Sequence, residues 1–188
     1  MYKNKKIFWW IVFTIVLIGS CFLLKASYEK FYKASYPMKY QEYVEKYSKK
    51  YKVDKYLVYS VIKCESSFRP NAVSKVGARG LMQIMEETFL WAKQKKGDTS
   101  KTSFDDLYDV ETNIDYGVFI LSEFSKEFKT NENALCAYHA GWGNAKKWLV
   151  SEKNSPDGVN VTNIPFNDTK AYVARVSVTL KIYKELYQ

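Results

Sequence analysis

A mainly α-helical protein, with one transmembrane helix ahead of a single globular helical domain, is predicted by three features of the 188-residue chain. Apolar residues recur at spacings of three and four along most of its length, an uncharged apolar run lies near its start, and the period-two alternation of strands is absent. The 47% hydrophobic and 17% aromatic content argues against disorder, and the length suits one packed domain with a short appendage. No internal repeat is visible.

The first element is a short basic tail, residues 1–6, carrying Lys3, Lys5 and Lys6. Ile7 to Leu24 follows without a charge, about eighteen residues, which is near the minimum for a spanning helix. A cleaved signal peptide would need a shorter apolar core and a small-residue cleavage site, and Ile18-Gly19-Ser20-Cys21 only loosely resembles a lipoprotein processing site. The run continues through Phe22, Leu23 and Leu24 beyond that cut, so an uncleaved anchor over residues 7–24 is expected. Lysines on both sides, including Lys25, Lys30, Lys33 and Lys39, leave its orientation open by charge. Residues 25–37, rich in Lys, Tyr and Ser without an apolar face, read as a stalk, and residues 38–188 as the folded domain.

Within the domain, Tyr40, Val44, Tyr47 and Tyr51 mark a first amphipathic helix. A second starts at Asp54, a suitable N-cap, and runs to about Ser66, where Arg69-Pro70-Asn71 breaks it. Leu81 to Lys93 reads as a third after the turn Gly77 to Gly80, and Gly97 to Asp105 as a polar loop. Ile114, Val118, Leu121 and Phe128 give a fourth over Asn113 to Phe128. Asn133 to Ala140 is a fifth, ended by Gly141 and Gly143 with a continuation through Trp148. A last helix from Thr169 carries Val173, Val176, Leu180, Tyr183 and Tyr187.

Composition narrows the chemistry. The net charge of +9 becomes +6 once the three tail lysines are set aside, a basic surface that could meet nucleic acid, anionic lipid or acidic cell wall. The lysines are scattered rather than blocked, which also fits a plain solvated surface. The three cysteines, Cys21, Cys64 and Cys136, have no metal-ligand spacing, and a structural disulfide would have to join Cys64 to Cys136. With His139 the single histidine, neither a zinc site nor a histidine-assisted nucleophile has the residues it needs. No metal and no cofactor are expected, and any chemistry should rest on carboxylates.

Glu65 is the carboxylate that stands out. At roughly 100° per residue with Leu57 at zero, Val58, Val61 and Ile62 fall at about 100°, 40° and 140°, and Glu65 at about 80°, the middle of the apolar face. Desolvation there raises a carboxyl pKa, and a general acid must keep its proton near neutral pH. The alternative is that Glu65 emerges into solvent at the helix end, or pairs with Lys63 or Arg69. Gly77 and Gly80 would let the backbone approach a ligand closely, and Ser74 and Gln83 offer neutral polar groups suited to sugar hydroxyls and acetamides. Met82 and Met85 fit core or site, and Gly141-Trp142-Gly143 fits a helix break or a wall of close approach.

These residues resemble the catalytic domain of the soluble-lytic-transglycosylase family, which is related in fold to goose-type lysozyme. The resemblance runs from about Met38 to Tyr187. Its strongest part is Glu65-Ser66-Ser67-Phe68, Ala72, Ser74, Gly77-Ala78 and Gly80-Leu81-Met82-Gln83-Ile84-Met85 through Thr88. Asn113-Ile114 with Gly117, then Ala137-Tyr138, Ala140-Gly141 and Gly143, then Ile164-Pro165-Phe166 with Tyr172-Val173, follow in the family's order. The resemblance implies a lysozyme-like fold and cleavage, without water, of the β-1,4 bond between N-acetylmuramic acid and N-acetylglucosamine in peptidoglycan. It implies Glu65 as acid and then base, giving a 1,6-anhydro end, and Ser74, Gln83, Met85 and Tyr138 along the glycan cleft. One carboxylate serving twice would account for the lack of the second acid that most glycosidases use.

Three departures stand out: His139 where the family usually has Asn, Glu86 where Pro is usual, and Thr162 near where some members carry Glu. His139 could still hydrogen-bond a sugar, so it joins the candidate substrate-binding residues. Cys64 beside the acid is expected to be a small buried residue. Expected contacts are peptidoglycan strands and, through the N-terminal helix, the cell membrane, with the domain on the wall side. The rivals are a lysozyme-like hydrolase and a non-catalytic wall-binding subunit of an envelope machine. A nucleic-acid partner is not expected, because no recognisable binding module is present.

Overall fold

The structure, a computed structural model, describes residues 2–188, so Met1 of the basic tail lies outside the described residues. It divides into two compact units, residues 1–37 and 38–188. The first is a single helix, α1 (Tyr2–Ser35). From Phe8 onward it is long and apolar enough to cross a membrane, by length and composition. Phe8, Trp9, Trp10, Phe13, Phe22 and Leu24 are all exposed. The stretch read as a stalk is not irregular. The helix continues through it to Ser35, with the Tyr28 and Tyr32 rings 4.3 Å apart and Tyr32 and Tyr36 stacked at 6.0 Å. One-turn spacing puts these tyrosines on one face, which supplies the packing that the lysines do not.

The second unit is helical: α2 (Gln41–Tyr51), α3 (Lys55–Ser66), α4 (Glu86–Lys96), α5 (Val110–Phe128), α6 (Asn131–Ala140), α7 (Trp142–Leu149) and α8 (Asn167–Tyr187). Among the described residues there is no strand, only the isolated bridges Val73 to Arg79 and Arg79 to Ile84. Asp54 caps α3 as expected, accepting from the Tyr56 N–H at 2.9 Å. Asp109 does the same for α5 through Thr112 N–H, and Thr130 for α6 through Asn133 N–H.

Helix α5 is the centre, burying Ile114, Val118, Ile120 and Leu121 and packing against α2, α4 and α6. Helices α3 and α8 lie antiparallel. Tyr56 Oη donates to the Tyr187 carbonyl at 2.7 Å, the Tyr59 and Tyr183 rings stack at 5.6 Å, and Cys64 Sγ lies 3.6 Å from Thr179 Oγ1. This pairing carries the C-terminal turn of α3, with Glu65, to the N-terminal half of α8. All three cysteines are free thiols; Cys136 is buried and Cys64 half-buried.

Three expectations need correction. The helix anticipated from Leu81 starts at Glu86 instead, because Gln83 takes a left-handed φ of 50° and Arg79 and Ile84 exchange both backbone hydrogen bonds, so 81–85 closes a tight turn. The stretch after Gly141 is a separate helix, α7, because Gly141 at φ 88° and ψ 148° breaks the run. The polar loop after Gly97 gives way at Phe104–Tyr108 to a 3-10 turn, opened by a Ser103–Asp106 capping box.

Candidate active site

Helix α3 ends just past Glu65. Ser67, in the left-handed region at φ 51°, caps it, and Phe68 follows at φ 64° with its ring buried. A bulky residue in this conformation costs on the order of 1–3 kcal/mol and persists only where its surroundings over-determine it. Here Arg69 supplies two bonds to the Ser66 carbonyl, from its backbone N–H at 3.2 Å and from Nε at 2.9 Å. The chain therefore leaves the helix abruptly, and the Glu65 carboxyl is not covered by another helical turn.

The segment that follows combines short backbone turns with side chain to backbone bonds. Ser74 Oγ accepts from Ala78 N–H at 3.0 Å, closing the turn over Gly77. Gln83 Nε2 donates to the carbonyls of Ala72 (3.1 Å) and Gly80 (2.8 Å). From α5, buried Asn113 accepts the Met82 N–H through Oδ1 at 2.8 Å and donates through Nδ2 to the carbonyls of Arg79 and Leu107. A Cβ on Gly80 would stand 2.0 Å from that Nδ2 and 2.3 Å from Leu107 O, so the close approach this glycine allows is to protein rather than to a ligand. On α5, Gly117 leaves room for the Met82 side chain, whose Sδ would be 2.3 Å from an added Cβ. Met82 is core.

Around Glu65 the structure assembles α3, α6 and α8. The neighbours that act on its charge are Tyr172 and Arg175, both from α8, and neither is a carboxylate. Burial raises the Glu65 pKa from 4.5 to about 7, against smaller lowering effects of the Tyr172 hydroxyl and the Arg175 charge. Tyr172 is buried with its hydroxyl beside the Glu65 carboxyl, and burial followed by the Glu65 charge pushes its own pKa well up. Tyr138 Oη donates to the Met82 carbonyl at 2.8 Å, tying α6 to the loop. Its own pKa is pushed well up by burial and then by Glu65.

His139 is exposed, its ring stacked on Tyr172 with centroids 4.4 Å apart and Nδ1 3.0 Å from Thr169 Oγ1. Partial burial of the ring on Tyr172 lowers its pKa, which Asp168 offsets in part and Arg175 adds to. Met85, Gln83 and Tyr138 meet with Thr88, Ile84 and Ile120 at a small cleft of about 30 Å³.

Of the candidates read from sequence, Glu65, Tyr138 and His139 thus converge on Tyr172, and Gln83, Met85 and Tyr138 share the cleft. Ser74 is held in the turn, its oxygen engaged by Ala78. Tyr172, Arg175 and Thr169 had not been singled out as site residues. Their signal was present: Thr169, Tyr172, Arg175 and Thr179 recur every three or four residues on α8, a polar stripe beside the apolar Val173–Val176 one. Asn113 was recognised only as part of a block, and nothing local marks it as the anchor of a loop thirty residues earlier.

Comparison with known proteins places this arrangement. A family model described as the transglycosylase SLT domain matches residues 42–160. The soluble lytic murein transglycosylase of Escherichia coli K12 is 32% identical over 143 residues, 75% of this chain and 22% of that protein. The membrane-bound lytic murein transglycosylase C of Edwardsiella ictaluri is 28% identical over 173 residues, 79% of this chain and 47% of that protein. The chain thus spans less than half the length of these curated relatives. Among solved structures, the 70 kDa soluble lytic transglycosylase from Escherichia coli superposes with a TM-score of 0.75 at 29% identity, covering 82% of this chain and 25% of that one.

Proposed function

The chain belongs to the transglycosylase SLT-domain family, and from that membership we propose that it cleaves peptidoglycan glycan strands between N-acetylmuramic acid and N-acetylglucosamine without water, with Glu65 as the only carboxylate in the chemistry. One observation carries the reading: Glu65 is held near pKa 7 by burial, and the groups that act on its charge are Tyr172 and Arg175. A hydrolytic glycosidase would in most families place a second Asp or Glu across the scissile bond.

In the proposed reaction, protonated Glu65 donates to the glycosidic oxygen as its bond to C1 of the muramoyl ring breaks. The carboxylate so formed then takes the proton of the C6 hydroxyl of the same ring, whose oxygen bonds to C1. The proton lost at the start is regained at the end, no water enters, and the product carries a 1,6-anhydro end. A pKa near 7 suits both halves, since donation and acceptance at neutral pH are then nearly balanced. Tyr172, at van der Waals distance from His139 and within electrostatic reach of Glu65, is placed to steady the carboxylate phase. Gln83, whose amide nitrogen is committed to the loop, offers its Oε1 to sugar acetamide or hydroxyl donors. Ser74, Met85, Tyr138 and His139 complete the substrate-binding set.

We also propose that residues 7–24 anchor the enzyme in the cell membrane as a single pass, with 25–37 as a spacer and 38–188 on the wall side. The exposed apolar surface of α1 supports attachment, as does the similarity to a relative named as membrane-bound. The anchored face would hold the basic domain close to anionic wall polymer.

Digestion of purified peptidoglycan by the protein in detergent, beside Glu65→Gln, tests the reaction. Muropeptides lighter by one water than their reducing-end counterparts, released by the parent and not by the variant, are expected by mass spectrometry. Reducing ends would make the protein a hydrolase, and no release from either would make it a binding protein.

A further inference from the structure

The three tryptophans of the domain are treated differently by the fold. Trp148 is buried at 7% exposure, packed edge-on against Phe166, whereas Trp91 and Trp142 are 37% and 46% exposed. Exposed indoles are costly to leave loose, and neither of these is loose. The Trp142 Nε1–H donates to Glu127 Oε2 at 2.7 Å, and Lys146 holds the other oxygen of that carboxylate at 2.8 Å. Trp91 lies nearly parallel to Phe124, centroids 5.6 Å apart and planes at 22°, so one face of the indole is backed by the core and the other turned outward.

Both are linked to the cleft residues through α5: Phe124 touches Trp91 and Tyr138, and Glu127, on the same helix, holds Trp142. Met85, at the N-cap of α4, and Thr88 line the cleft, and Trp91 stands about one turn of α4 beyond Thr88, roughly 4.5 Å further along the helix axis. On the facing helix α5 the sequence Ile120, Phe124, Glu127 runs in step: Ile120 lines the cleft, Phe124 backs Trp91 and also meets the Tyr138 ring edge-on at 6.5 Å, and Glu127 holds Trp142. Lys95, one turn beyond Trp91, acts on the same Glu127 carboxylate. The two platforms therefore flank one stretch of α5, beyond the cleft mouth rather than at the reacting bond.

We propose that Trp91 and Trp142 form a remote saccharide subsite that grips the apolar faces of sugar rings further along the strand from Glu65, making the protein select long glycan strands over short ones. The inference rests on the glycan reading above. Sugar rings present flat C–H faces that match an indole, and a rim of Glu127, Lys146 and Lys95 supplies hydrogen-bonding groups for the hydroxyls at their edges. Because the indoles are fixed before binding, little side-chain freedom is lost on contact.

Calorimetric titration of the full chain in detergent micelles, in a Glu65→Gln background, with β-1,4-linked N-acetylglucosamine trimer and hexamer is the test. The hexamer is expected to bind more tightly than the trimer. Trp91→Ala and Trp142→Ala should each weaken hexamer binding by about 3- to 10-fold and leave trimer binding unchanged, as expected for one aromatic contact. Trp91→Tyr and Trp142→Tyr, which keep a ring, should retain most of the hexamer affinity. Unchanged hexamer affinity in the alanine variants, or equal losses for trimer and hexamer, would overturn the subsite while leaving the glycan reading intact. A parent that binds neither oligomer would sink both.

Discussion

Helix α5 and the segment 67–85 meet at Met82 and together shape the cleft, yet they reach their conformations by opposite routes. Eleven of the nineteen residues of α5 are buried, and its backbone bonds close within the helix. The segment closes short turns of its own, such as Arg79 with Ile84, but also needs the Asn113, Gln83 and Ser74 side chains for its other carbonyls and N–H groups, and Phe68, Gln83, Gly77 and Gly80 sit at positive φ. A helix loses stability gradually as apolar contacts are trimmed, because its hydrogen bonds survive. A loop built on side-chain anchors fails at one residue, because each lost anchor strands several buried polar groups at once.

That contrast can be broken at Asn113, where the largest effect is expected. Asn113→Ala would strand the Met82 N–H and the carbonyls of Arg79 and Leu107, costing about 3–5 kcal/mol and nearly all activity, while far-ultraviolet circular dichroism of the folded fraction keeps its helical signal. A variant that stayed active and as stable as the parent would show that backbone geometry alone holds the segment.

Glu65 lies at the junction, helical by position and exposed to the loop's surroundings by its burial, and it sharpens the comparison through pH. Its folded pKa is raised above the unfolded value, so the native state holds the proton more strongly, and stability falls as pH rises from about 4.5 through about 7. Glu65→Gln removes that loss. Its melting temperature should exceed the parent's at pH 8, by an effect of up to about 3 kcal/mol, and match it at pH 4. The kcat/KM of the parent should fall as pH rises through about 7, as the acid form is lost. Equal stability of the two proteins at both pH values would mean that Glu65 is solvated in the fold.

The smallest effect belongs to the helical side. Asp54→Ala removes the cap on α3 and the Lys184 ion pair across to α8, at a cost of about 1 kcal/mol seen in denaturant melts, with cleavage rates per folded molecule unchanged. A large loss of activity there would mean that the far end of α3 positions Glu65, and that helix and loop are less separate than their bonding implies.

Periodicity carried most of the helical frame into view. The Leu57–Val58–Val61–Ile62 face of α3 is buried as its spacing requires, and Val173, Val176 and Tyr183 of α8 are buried too. The stretch 81–85 read as helix because Leu81, Met82 and Ile84 are apolar and helix-compatible. Its true conformation depends on Gln83 bonding back to Ala72 and on Asn113 arriving from α5, contacts far apart in sequence. Tyr172 is visible in the sequence only inside the Tyr172-Val173 block, with no role attached, and Arg175 on its polar stripe reads as solvent-facing until α3 is known to lie against α8.

What the sequence determined by itself is therefore what depends on short-range pattern: the apolar run of α1, the helical periods, the cap at Asp54 and the position of one carboxylate on an apolar face. The run follows from composition, the cap from residue type, and the periods and the carboxylate's position from a turn of about 100° per residue. Only the tertiary structure decided which groups surround that carboxylate, that the loop is pinned from α5, and that the Trp91 and Trp142 indoles are held against Phe124 and Glu127 of that same helix. Those depend on the antiparallel pairing of α3 with α8 and on the packing around α5, where residues more than a hundred positions apart meet, and no local period encodes which pairs will do so.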